Sequence, residues 1–552
     1  MRARAVSRDP RLLGVLAAAL VAVIVAWAAE TEPSPAKASV PPAVSVPITA
    51  TTLVCPQAGG MPIAGAARIA YADADPSPAS AGASSLTTAP LDPDGVSTDV
   101  ELRPGRAWVI DGPTTVGPVR VMLDGPATST SAVAQFTRQL IDGTLQVSAT
   151  PCEAPTTDAW FAGFASGVGA HATLLLSNVD AVPATVDVGI YGDNAPPNND
   201  ADHGLVVAPQ SQVAVRLDTL APGFANMVTH VTATAGRVVP AIRYDMENGS
   251  IPLGVEWVPR TEAPALTQTV PGFVAGDGDR RLVLADPGDL DASVSLRLVT
   301  ADGSFTPIGY DAVTVPAGGV VSVDLGSALG QEAGAVVATS TVPVVAAGVA
   351  TLPLNARGGS DLGFTAAAPA LSGPAVVAGG ETGADRHTTV LLSAPDADAR
   401  LDVTLLGSGA DSAPLTSSIT VPGGTTMELD LGTLSADAAP GIELAPGDGG
   451  PVYAAFTMQE TNATSTDLTS FPVRAQPREL RRPAVRADLT AGLAGQVATP
   501  TPTPPASPSA PPGPSDLPSD FPSDFPSDLP SDFADLPSDQ GSPPVSPSQP
   551  SP

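Results

Sequence analysis

The feature that most constrains this chain is an internal repeat with a period near 106–108 residues, seen in the spacing of Leu174, Leu282 and Val390 and of Pro209, Pro316 and Pro422. Each copy opens on a short apolar run: Leu174-Leu175-Leu176, Leu282-Val283-Leu284 and Val390-Leu391-Leu392. A strand of alternating character follows, with Val186, Val188 and Ile190 in one copy, Val294, Leu296 and Leu298 in the next, and Leu401, Val403 and Leu405 in the third. Period-two alternation turns one face to a core and the other to water. A Pro-centred turn then leads to a second alternating strand, and the unit closes on an apolar strand such as Val452–Phe456. A degenerate copy lies upstream: Ile69–Asp73 sits one period before Leu174, and Pro104 with Trp108 sits one period before Pro209.

A unit of about 100 residues with some seven short strands is the pattern of an immunoglobulin-like β-sandwich. A propeller blade would repeat every 40–50 residues or so. The expected fold class is therefore all-β: four tandem sandwiches at 45–150, 151–260, 261–368 and 369–475. The one exception expected to the strand pattern is a short helical turn around Ala132–Leu140.

The flanks have a different character. Arg2, Arg4, Arg8 and Arg11 precede an uncharged apolar run, Leu12–Ala29, after which a Pro/Ser-rich linker covers 30–44. Eighteen apolar residues just span a bilayer core, and flanking arginines hold residues 1–11 in the cytoplasm. The run reads either as an uncleaved signal anchor or, through Ala26-Trp27-Ala28, as a cleaved signal peptide. Both readings put the bulk of the chain outside the membrane. At the other end, an Arg-containing linker (476–498) leads into a Pro/Ser/Asp-rich tail (499–552). The tail has too little apolar surface to offset its ordering entropy and is expected to be disordered. The five arginines between Arg474 and Arg486 read as a solvated linker, with docking on anionic wall polymers or folding back on the acidic tail as the alternatives.

Composition excludes several functions. A net charge of −31 removes any phosphate-neutralising face, so no nucleic-acid partner is expected. Lys37 is the sole lysine, and the Ala, Gly, Pro and Asp bias suggests a GC-rich genome such as that of an actinobacterium. Cys55 and Cys152 read as one disulfide in an exported chain, pinning the two ends of the first copy.

Chemistry is hard to find. His171, His203, His230 and His387 stand at unrelated repeat positions without ligand spacing. Gly358–Gly363 lacks the glycine a nucleophile elbow needs two residues after Ser360. Asp193, Asn198, Asn199, Asp200 and Asp202 are rich in oxygen ligands but out of order for a calcium loop, leaving either calcium or a plain polar connection. No catalytic residue, cofactor or assigned metal site is expected. Trp108, Trp160 and Trp257 are the candidates for stacking on a sugar ring, with core burial as the alternative.

The segment from Cys152 through Asp158–Gly163, with the strands at Leu174–Asn178 and Ala184–Val188, resembles an actinobacterial family of exported proteins of unknown function. The resemblance spans roughly residues 50–475 and implies one N-terminal apolar helix, repeats of this kind and an envelope location. It carries no catalytic residues. Trp160 has no counterpart in the third and fourth copies. The expectation is a non-enzymatic envelope protein, an extended array of rigid domains on the order of 130 Å long. It would be held to the cell membrane by its helix, with envelope proteins or cell-wall glycan as partners. A polysaccharide-binding or glycan-assembly module is the second reading.

Overall fold

The computed structural model describes residues 44–482 apart from 57–66, 76–82, 112–116, 142–143, 194, 356–357, 409–411, 435–440 and 463–464, together with residues 19–21. The rest of the apolar run Leu12–Ala29, and the tail beyond residue 482, lie outside the described residues. Among those described, no helix is long and apolar enough to cross a membrane.

The chain is an all-β protein. Two sheets pair face to face in each of four repeats, running from Ala50–Cys55 to Thr144–Pro151, from Asp158–Phe164 to Ile251–Val258, from Ala265–Phe273 to Leu362–Ala366 and from Ala375–Val377 to Thr466–Val473. Counting strands from the start of each repeat, the orders are 1-6-3-4 and 5-2-7-8, with strand 4 of the third repeat split into Gly303–Phe305 and Val313–Val315 and an extra edge strand, Arg260–Thr261, beside strand 1 of the second. The immunoglobulin constant-type order is 1-2-5-4 over 3-6-7. Here strand 2 pairs with strands 5 and 7 instead, so the immunoglobulin connectivity does not hold. In the third repeat one long strand, Gly334–Thr351, serves as both strand 6 and strand 7. Ser131–Ile141, expected to hold a helical turn, is a strand. Its period-two signal is blurred because both of its faces are covered.

The repeats close on themselves. Alternate residues of strand 2 enter different cores: Leu282 and Leu284 join the core of their own repeat, whereas Val283 joins that of the second repeat. In the first repeat Ile69 and Tyr71 face their own core, while Ala70 and Ala72 pack into the core of the fourth. This explains the uninterrupted apolar runs, since a strand covered on both faces has no polar side. The first strand of one repeat lies against strand 7 of the next, where three glycines permit the approach. A Cβ on Gly163, Gly272 or Gly379 would meet Val349 at 3.0 Å, Ala455 at 2.5 Å and Phe136 at 2.5 Å respectively. All three have positive φ, the region only glycine enters freely.

Around the centre the eighth strands meet in sequence. Thr144–Pro151 packs on Ile251–Val258, which packs on Leu362–Ala366, then on Thr466–Val473 and so back to the start. A final ladder joins Val44–Pro47 to Glu479–Arg482, with Val44 opposite Arg482. The expected extended array is thereby corrected to a ring: two covered faces per repeat leave no free end to build a rod.

Candidate functional site at the ring seam

The seam joins the first repeat to the fourth. Phe136, 5% exposed, meets Phe456 edge to face with ring centroids 6.3 Å apart. Beside it Arg138 donates from Nη2 to Glu381 and from Nε to Glu460, both at 2.7 Å. Arg68 and Arg386 add further pairs to Glu381 at 3.1 and 2.7 Å. Burial raises the Glu381 carboxyl, but hydrogen bonding to Arg138 and the surrounding guanidinium charges outweigh it and hold that carboxyl below its ordinary value. A partly buried carboxylate with this many donors is a structural clamp.

Where the first and fourth repeats meet the start of the second lies a cavity of about 340 Å³, lined in part by Leu53, Val133, Ser131, Val377, Phe471 and Arg474. Its volume is at the low end of small-ligand sites. Among its polar lining, the buried Ser131 hydroxyl and Arg474 Nε have no hydrogen-bond partner. Arg474 is not the solvated linker residue expected. Its Nη2 donates to the carbonyls of Arg260 and Ala367 at 2.9 and 3.0 Å and pairs with Glu262 at 3.1 Å. Burial holds this guanidinium below its usual pKa. The spacing gave no sign of this, because the residues it fastens come from other repeats. Arg481 and Arg482 are exposed on a strand paired with Val44–Pro47, and Arg478 Nη2 lies 3.8 Å from Glu443.

The sequence candidates separate cleanly. Cys55 and Cys152 form a disulfide across 97 residues, next to this cavity. Trp108, Trp160 and Trp257 are 4%, 5% and 2% exposed, so none presents a ring face to a ligand. Trp108 stacks on Tyr71, whose hydroxyl burial pushes above its ordinary pKa, and Trp160 stacks on His230 at 3.9 Å. His230 also meets Asp158 at 2.7 Å. They are core residues, drawn in because aromatics are scarce and each fills a large volume.

The stretch Asp193–His203 is no free loop: Ala195–Val207 is an edge strand. Asp193 Oδ1 accepts from the backbone N–H groups of Ala225 and Asn226, both at 3.0 Å, which ties it to a segment more than 30 residues away. The side chains of residues 195–202 lie outside the described residues. Among the described residues no group of three or more metal-ligating side chains comes together. Ser360, the residue nearest a nucleophile motif, is buried and donates its hydroxyl to Leu352 O and, at 3.2 Å, to Asp361 O.

The sequence profile of a family of unknown function (DUF5719) matches residues 114–432 and 354–494, which together cover 114–494. No curated protein matches the chain.

Proposed function

We propose that this chain, which belongs to the DUF5719 family of unknown function, is a non-enzymatic scaffold of the cell envelope, exported from a GC-rich bacterium such as an actinobacterium and fastened to its membrane by the apolar run Leu12–Ala29. The observation that carries the reading is the Cys55–Cys152 disulfide, a cross-link that persists in oxidising, extracytoplasmic compartments and is rare in the cytosol. The ring shapes what such a scaffold does. Val44 and Arg482 are ladder partners, so the described body begins and ends at one place. Burial of the three tryptophans removes the stacking faces a glycan-binding module would use.

Thiol trapping in intact cells tests this. The expected result is a chain in the membrane fraction, degraded by protease added outside the membrane, whose two cysteines take up alkylating reagent only after reduction. Free thiols in freshly lysed cells, or a chain in the cytosolic fraction, would contradict it.

A further inference from the structure

At the ring centre each repeat contributes one polar side chain from its last strand or the residue just before it: Gln146, Glu256, Asp361 and Asp467. None is more than 2% exposed. They form a connected set. Gln146 Nε2 donates to Asp467 Oδ1 at 3.4 Å, and the Leu468 N–H donates to Asp361 Oδ2 at 2.7 Å. The Asp467 and Asp361 charges oppose one another, as do those of Asp361 and Glu256. The Trp257 N–H reaches Glu256 Oε1 at 2.7 Å.

Further donors reach each carboxyl, Thr469 at Glu256, the Leu362 and Val255 N–H groups at Asp361 and Ser465 at Asp467, yet they do not satisfy the whole set. Glu256 Oε2, Asp361 Oδ1 and Gln146 Oε1 are buried acceptors with no partner, and the last belongs to an amide that is not itself acidic. No cation is paired with the three carboxyls among the described residues. The charged groups facing them from adjoining strands are one another and Glu460, itself held by Arg138 and Arg386. Buried orphan acceptors are costly, and three unpaired buried carboxylates far more so. A proton on a carboxyl removes a charge and supplies a donor in one step.

We infer that the ring centre is a proton-binding site assembled from all four repeats, which holds the ring closed while protonated and loosens it on deprotonation. Burial, and then neighbouring acid charge, push Glu256 and Asp361 well above the usual carboxylate range, and Asp467 up to about 7. The sign follows from linkage. A carboxyl whose folded pKa is raised adds stability that is full below its unfolded pKa and is lost as pH rises through the folded one. For each carboxyl that keeps its proton only when folded, the folding equilibrium falls about tenfold per pH unit. The site rests on the ring geometry and not on where the chain resides.

The test is urea unfolding of the full chain between pH 5.5 and 8.5, alongside the triple variant Glu256→Gln, Asp361→Asn, Asp467→Asn, whose amides imitate the protonated acids. The wild-type midpoint should fall across this range, while the variant should fall less and exceed wild type at pH 8.5. Should the triple variant fail to fold, Asp467→Asn alone carries the same comparison. Equal slopes in wild type and variant would overturn the inference. So would a rise in the wild-type midpoint at pH 8.5 on adding calcium or magnesium chloride that the variant does not share, since the site would then bind a metal cation.

Discussion

Replacing Phe136 with alanine puts the seam itself under load. In an open array this residue would lie on an uncovered face of the first repeat, and its truncation would remove a surface ring at little cost. In the ring it is 5% exposed, sits edge to face with Phe456, and fills the space over Gly379. Truncating a buried phenylalanine costs about 3–5 kcal/mol, and the lost aromatic pair adds about 0.5–1.5 kcal/mol. A loss of roughly 4–6 kcal/mol is therefore expected. Urea unfolding of the full chain, followed by fluorescence of the buried tryptophans, reads it directly. A loss below about 1 kcal/mol, the size of an ordinary surface substitution, would refute the packing of the first repeat on the fourth.

Other consequences follow from the same contacts. Gly272→Val, at φ 93° and with the Ala455 Cβ only 2.5 Å from the new Cβ, should cost about 2–5 kcal/mol through left-handed strain and overpacking, measurable as a lower thermal midpoint. Serine at both Cys55 and Cys152 frees a loop spanning 97 residues and should cost about 4–5 kcal/mol in the chain-entropy account, seen in denaturant titrations without reductant. Arg138→Ala leaves Glu381 and Glu460 short of a buried partner and should cost about 3–5 kcal/mol near neutral pH. Because Glu381 titrates below its ordinary value in the fold, its contribution is present above the unfolded pKa and fades as pH falls through the folded one. The gap between wild type and Arg138→Ala should accordingly narrow in acid.

The strands were legible because their pattern is local. Alternation in Val186, Val188 and Ile190 marks a strand with one buried face, and those three side chains are at most 1% exposed. The runs Leu174–Leu176, Leu282–Leu284 and Val390–Leu392 carried a further sign, since their unbroken apolar character asks for cover on both faces, though not for closure into a ring. Reading them as ordinary sandwich strands led to a rod. Strand order was beyond reach, since alternation states which face is buried but not which neighbour supplies the hydrogen bonds. The central polar set was hidden for a similar reason. Gln146, Glu256, Asp361 and Asp467 come from four distant segments, and among 56 acidic residues nothing local distinguishes them. Trp108, Trp160 and Trp257 show the reverse: their type suggested a ligand, and packing in a core poor in aromatics took them instead.

Closure of the ring is tested most directly by a pair of cysteines at Ser45 and Arg481, residues opposed in the terminal ladder. Opposed residues in such a ladder have Cα atoms about 4.5–5.5 Å apart, within reach of a disulfide. Mild oxidation of the full-length Ser45→Cys/Arg481→Cys chain should give an intramolecular cross-link at any protein concentration, read as a mobility shift that reductant reverses. A chain that stays uncross-linked, or links only between molecules as concentration rises, would contradict the ring and return the repeats to an open array.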